Sequence, residues 1–394
     1  MSIDACVLQQ SDYIVEMRRY FHAHPEISLK EFKTAARIEE ELDKCGIEHT
    51  RVGETGIYAR IIGKKPSEKP TRKVALRADM DALGLDDLKN CEYASQNQGF
   101  CHACGHDGHT ATLLAAARIL KSMENDFSGE VRLFFQQAEE IGQGARQFVA
   151  AGLLEGVDRI YGQHVTNSLN VGQVGIVGGP LNASCDFFRV EIKGKSAHVS
   201  MPHKGVDALY VASQIVVALQ GIVARNTDPM EAAVVGIGKA WAGSQYNIVA
   251  EDAVLEGTVR TFNPAVREFT NKRLTDIVES TARMYGAQAC VTIKNYSNPL
   301  INDQKAAHEV KCVAEEIVGA ANIVADYPKS MMAEDFADYL PHCCGAFAYF
   351  GTHSDKPGTD RPNHNGHFDI DEQGLLVACN LYVRYALYVL NELK

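Results

Sequence analysis

Apolar positions along the chain fall into two spacings, and the change between them divides the sequence into elements. Ile14, Val15, Met17 and Phe21 recur at helical intervals and stop at Pro25, which predicts a helix over 12–24. A second helix is expected over 28–45, closed by Gly46. Short, mostly apolar runs occur at 74–78, 131–135, 159–163 and 346–350, the pattern of buried strands. Polar chemistry follows each run. Asp79-Met80-Asp81 follows the first, Gln136-Gln137-Ala138-Glu139-Glu140 the second, His164 the third and Gly351-Thr352-His353 the fourth. Helices are expected over 110–123 and from about 145. Carboxylates and histidines where apolar strands end, alternating with helices, predict an open, mostly parallel α/β sheet. Its ligands should gather beyond the carboxyl ends of the strands, where Asp81, Cys104, His106, Glu139, Glu140 and His164 would meet.

The middle of the chain follows a different pattern. Strand, helix, strand, strand, helix, strand are expected at 187–193, 206–223, 232–237, 253–262, 264–285 and 289–295. Leu255, Gly257, Val259 and Thr261 alternate with polar neighbours, as in a sheet with one wet face. The β-α-β-β-α-β order is ferredoxin-like. An inserted α+β domain is therefore placed at 183–298, between the two parts of a discontinuous first domain, 1–182 and 299–394. The charged, Pro-containing stretch 63–72 is expected to be a surface loop.

Residues 101–109 concentrate the chemistry: Cys101-His102-Ala103-Cys104-Gly105-His106-Asp107-Gly108-His109. Sulfur beside imidazole suits zinc and related transition metals, with the two glycines expected at backbone turns before a helix N-terminus. Cys101-x-x-Cys104 also fits a redox pair, although redox motifs do not bring three histidines with them. No second ligand pair follows at finger spacing, so further ligands must come from distant segments. Eleven cysteines without a repeating pattern favour a reducing, cytoplasmic setting over a disulfide framework. A net charge of −11 speaks against nucleic acid or acidic membranes as partners. No apolar run is expected to span a membrane, and no secretory leader pattern opens the chain.

Several motifs, in order, resemble the M20 metallopeptidase family, in particular its aminoacylase/amidohydrolase subgroup with hippurate and auxin-conjugate hydrolases. They are Arg18-Arg19-Tyr20-Phe21-His22-Ala23-His24-Pro25-Glu26, Leu76-Arg77-Ala78-Asp79-Met80-Asp81-Ala82-Leu83, His102-Ala103-Cys104-Gly105-His106-Asp107 and Gln137-Ala138-Glu139-Glu140. Gly162-Gln163-His164, Ser196-Ala197-His198, Gly257-Thr258-Val259-Arg260, Ala333-Glu334-Asp335-Phe336 and Asn363-His364-Asn365 complete the set. The resemblance implies that Cys104, His106, Glu140, His164 and His364 bind two divalent metal ions, manganese or zinc, with cobalt or nickel as further candidates. It makes Glu139 the general acid/base and places Asp81 behind the ligands. It implies a homodimer formed through the inserted lid domain, in which His198 reaches the other subunit's active site to stabilise the oxyanion. Asn247 and Arg260 are the candidates for holding a substrate carboxylate.

Taken singly, these residues have blander readings. Glu139 and Glu140 suit a helix N-terminus, His164 a hydrogen-bonded core, His364 a solvated loop, Asp81 an Asx-turn and Arg260 a cross-strand ion pair. Arg18-Arg19 reads as a solvated helix face. Gly84 and Gln137 stand where the family usually has proline, Cys101 where it has methionine, and His364-Asn365-Gly366 lacks the common proline. None of these departures removes an implied ligand, but Gly84 alters the expected acyl pocket. The expected activity is metal-dependent hydrolysis of the amide of N-acyl amino acids, releasing a carboxylate and a free amino acid. The rivals are a dipeptidase or carboxypeptidase of the same fold and a non-catalytic metal-binding sensor.

Overall fold

The computed structural model describes residues 2–68 and 70–391. Its contacts divide the chain into two compact units. The first comprises Met1–Gly179, Ile301–Pro328 and Asp338–Lys394, and the second Pro180–Leu300 and Lys329–Ala337.

The first unit is built on an eight-stranded mixed sheet. From one edge its strands are Glu48–Val52, Gly56–Lys64, Ser128–Gln136, Lys73–Asp79, Arg159–Asn170, Gly345–His353, Val174–Gly175 and Ile323–Val324. The four central strands, from Ser128–Gln136 to Gly345–His353, run parallel, and antiparallel pairs flank them. Val74, Leu76 and Ala78 of the central strand are buried, as are Ala75 and Arg77 on its other face, so the apolar run marks burial on both sides. The helices His106–Ser122 and Gly374–Asn391 fill the core through Leu113, Ala117, Leu120, Leu381 and Tyr385.

Three expectations for this unit are corrected. The helix expected from residue 28 starts at Phe32, because Leu29 adopts a left-handed conformation (φ 62°). The strand expected to end before His164 continues to Asn170. Its register, Arg77 beside Gly162, sets His164 level with Asp79, so His164 faces the site from inside a strand. The loop expected over 63–72 begins later, since a strand runs to Lys64; Lys69 lies outside the described residues.

The second unit carries a four-stranded antiparallel sheet in the order Gln288–Ser297, Cys185–Lys193, Asp252–Thr261, Ala233–Ala242. Numbered along the chain this is 4-1-3-2, the ferredoxin-like order. Phe188, Val190, Ile192, Leu255 and Val259 point inward against Val211, Ile215, Leu219, Leu274 and Val278 of the helices Ala208–Gly221 and Pro264–Met284. Gly257 is required there, since a β-carbon would lie 2.1 Å from the Gly236 carbonyl oxygen. Lys329–Ala337 belongs to this unit, a segment the expected boundaries left in the first domain. Ser330 bridges to Asn182, and Ser297 Oγ donates to the Glu334 carbonyl (3.0 Å).

Two helices, Ala208–Asn226 and Gly374–Asn391, have the length and apolar composition to cross a membrane, contrary to the expectation of no such run. Each turns a face into its own unit's core, through Val211, Ile215 and Leu219 in one and Leu375, Ala378 and Leu381 in the other.

Candidate metal centre

The 101–109 stretch folds as a loop that becomes a helix at His106, so His106, Asp107 and His109 occupy its first turn. Gly105 precedes the helix at φ 92°, and a β-carbon there would meet Val165 Cγ2 at 2.4 Å. Glycine is thus required at that position both by conformation and by space. Gly108, also expected at a turn, lies inside the helix and allows close packing of Leu375 and Ile370.

Cys104, His106 and His164 form one group whose donor atoms all lie within 4.8 Å of one another. Cys104, Glu140 and His364 form a second, and His106, Glu139 and Glu140 a third. The groups share members, so six side chains make one cage. Cys104 Sγ is 3.4 Å from His164 Nε2, His106 Nε2 is 3.9 Å from Glu140 Oε1, and His364 Nε2 is 3.4 Å from Glu140 Oε2. His364 is half exposed and left-handed (φ 62°); its N–H donates to the Ala103 carbonyl (2.8 Å). Neighbouring Asn363 donates to the Cys104 carbonyl, tying the distant loop to the cluster.

The two buried rings in the cage are oriented from behind. His106 Nδ1 donates to the Asp81 carbonyl (2.9 Å) and His164 Nδ1 to the Val165 carbonyl (2.7 Å), leaving both Nε2 atoms toward the cage. Asp81 Oδ2 accepts from Ser28 Oγ (2.7 Å) and from the Glu140 N–H (3.0 Å). His109, unassigned from the sequence, donates from Nδ1 to Asp79 (2.6 Å) and accepts the Val165 N–H at Nε2 (2.9 Å), so both its nitrogens are engaged.

The donors present fit a metal. His106 Nε2 and Glu140 Oε1 are buried with no hydrogen-bond partner. Burial opposes charge on His106, yet Asp79 and Cys104 outweigh it and hold the imidazole pKa well above its ordinary value. Burial, followed by His109, drives His164 well below the ordinary imidazole range, leaving it neutral as a ligand must be. Burial, helped by Glu140, pushes the Cys104 thiol up to about 12, and a bound metal would reverse that.

Cys101 belongs to different surroundings. Its thiol is grouped with His22 and Asp87, and Lys89 Nζ lies 2.9 Å from Asp87 and 3.9 Å from Cys101 Sγ. Arg18, expected on a solvated face, is buried and ion-paired to Asp107 (2.9 Å) and Asp369 (2.6 Å). With Glu372 (3.3 Å), three carboxylates enclose it, which is what holds the guanidinium away from solvent. His102 is buried with both ring nitrogens unpartnered.

His198, Asn247 and Arg260 lie in the second unit. His198 is exposed, accepting from Ser200 Oγ at Nδ1 (2.7 Å), and bridges Ile248 next to Asn247. Arg260 donates to the Met331 carbonyl (2.7 Å), and no cross-strand ion pair of Arg260 appears among the described residues.

A mixed, mostly parallel α/β sheet with a Cys/His/Glu cage beyond its strands, and a separate ferredoxin-like unit, are the parts of a metal-dependent hydrolase. The chain belongs to peptidase family M20/M25/M40, whose profile matches residues 75–388, and within it to the amidohydrolase subgroup. It is 41% identical over 366 residues to N-acetyl-L-cysteine deacetylase of Bacillus subtilis, covering 93% of this chain and 85% of the relative. It is 35% identical over 389 residues to thermostable carboxypeptidase 2 of Saccharolobus solfataricus, covering 98% of both. The crystal structure of the Bacillus subtilis YxeP protein, described as a dinuclear metal-binding peptidase of the M20 family, is similar with a TM-score of 0.84. The two share 34% identity, over 98% of this chain and 99% of that one.

Proposed function

We propose that the chain hydrolyses the amide bond of small N-acyl amino acids, with Glu139 as general acid/base. The observation that carries this reading is the placement of Glu139 beside Glu140 and His106, with donor atoms within 4.8 Å. Cys104, His106, Glu140, His164 and His364 would hold two divalent ions, manganese or zinc. Such ions would supply Lewis-acid polarisation of the amide carbonyl and lower the pKa of a water. Glu139 then removes the water's proton and delivers it to the leaving amide nitrogen, while Asp81 keeps Glu140 and His106 in place. The deacetylase relative supports an N-acyl substrate.

We assign His198 of the partner subunit to oxyanion stabilisation in a homodimer, and Asn247 and Arg260 to the substrate carboxylate. The eleven free thiols support a reducing, cytoplasmic setting.

The test is free-amine release from N-acetyl and N-benzoyl amino acids and unblocked dipeptides, with added Mn²⁺ or Zn²⁺. Turnover of blocked substrates, falling about 10³-fold in Glu139→Ala with metal content retained, is the expected result. Turnover of dipeptides alone would favour the peptidase reading, which the carboxypeptidase relative supports. Silence across the panel would overturn the proposal.

A further inference from the structure

Glu139 and Glu140 extend from a turn whose first residue, Ala138, is left-handed (φ 55°) without being glycine. That conformation is unfavourable for alanine, so the surroundings must hold it. The Ala138 carbonyl accepts from the N–H groups of Gln143 (3.1 Å) and Gly144 (3.3 Å). The Ala138 N–H donates to Glu31 Oε1 (2.9 Å), and Glu31 Oε2 accepts from Thr55 Oγ1 (2.7 Å). Glu31 and Thr55 are fully buried. On the other side of Glu139, the Glu140 N–H is held by Asp81. Two buried carboxylates thus fix the backbone N–H on either side of Glu139. Gln137, in the position where the family usually has proline, reaches the Val52 carbonyl and Gln147 through Nε2 instead of stiffening the backbone itself.

We propose that Glu31 is a positioning residue for the reaction: by accepting the Ala138 N–H it holds the left-handed turn that aims Glu139 and Glu140 into the cage. The inference rests on the hydrolase reading above, because it assigns Glu31 a role through those two carboxylates.

The experiment compares wild type, Glu31→Ala and Glu31→Gln, each Mn²⁺-loaded, for kcat, KM and Mn²⁺ affinity by chelator competition. Glu31→Ala should lower kcat about 100-fold and weaken Mn²⁺ retention about 10-fold, with KM changed little. Glu31→Gln should restore most of both, since its amide oxygen still accepts the Ala138 N–H. Normal kcat and affinity in a thermally weakened Glu31→Ala would overturn the proposal, as would Glu31→Gln failing as badly as Glu31→Ala. If Glu31→Ala does not fold, Thr55→Val, which frees one oxygen of Glu31, should shift kcat and affinity the same way by a smaller factor. An unchanged Thr55→Val would then count against the role. Were wild type inactive on every N-acyl amino acid, the functional reading would fall while Mn²⁺ affinity still reported on the turn.

Discussion

Two buried clusters of histidine, cysteine and carboxylate draw on the same nine residues, and they differ in what neutralises them. Around Cys101, the ammonium of Lys89 sits on Asp87 and the guanidinium of Arg18 on Asp107, both supplied by the chain. His22 completes that network by donating from Nδ1 to Asp107 (2.6 Å). Around Cys104, Glu140 faces the imidazoles of His106 and His364, and Asp79 and Cys104 hold the His106 pKa well above its ordinary value. Residue type alone therefore does not make a metal site. A cluster that already contains its own cation is a structural ion-pair network, and one that holds carboxylate and thiol against imidazole is a receptor for a metal.

The sharpest way to break this contrast is to remove one thiol at a time. Cys104→Ser should cut turnover at least about 100-fold, whereas Cys101→Ser should stay within about two-fold, by amine release. Equal losses would dissolve the distinction. Next, Lys89→Met should leave Asp87 buried without its ammonium and cost about 3 kcal/mol in urea unfolding, with metal stoichiometry unchanged.

A third prediction concerns Glu31, whose carboxyl is pushed up to about 7 by burial and then by the charge of Asp81. The folded chain therefore holds this proton more tightly than the unfolded chain does. The associated stability is full below pH about 4.5 and lost as pH rises through about 7. In metal-free protein, the stability of wild type relative to Glu31→Gln should fall between pH 5 and 8, on the order of 3 kcal/mol. A flat difference across that range would remove the burial argument. The smallest effect is expected at Arg19, which pairs with Glu372 on the exposed side of the Arg18 network (2.8 Å). Arg19→Ala should cost under about 1 kcal/mol.

The sequence and the structure agree where the signal is local. Alternation along 253–262 and the β-α-β-β-α-β order foretold the second sheet, and apolar runs marked the four parallel central strands. Asp81, Cys104, His106, Glu139, Glu140 and His164 were readable as one neighbourhood because each lies in or just beyond an apolar strand or in the Cys/His loop. What escaped depends on distant pairing. Glu31 meets Ala138 across 107 residues, and Asp79 meets His109 across 30, with no spacing to announce either. Arg18 reads as solvated from sequence because its enclosing carboxylates lie at 107, 369 and 372. The Lys329–Ala337 segment joins the second unit through Asn182 and Ser297, anchors so remote in sequence that no spacing announces them.

The most direct measurement is metal content per chain after Mn²⁺ loading and dialysis, by elemental analysis of wild type and Cys101→Ser. About two equivalents are expected in both, because the metal goes to the Cys104 cage and Cys101 takes no part in it. A third equivalent that disappears in Cys101→Ser, or no retained metal in wild type, would contradict it.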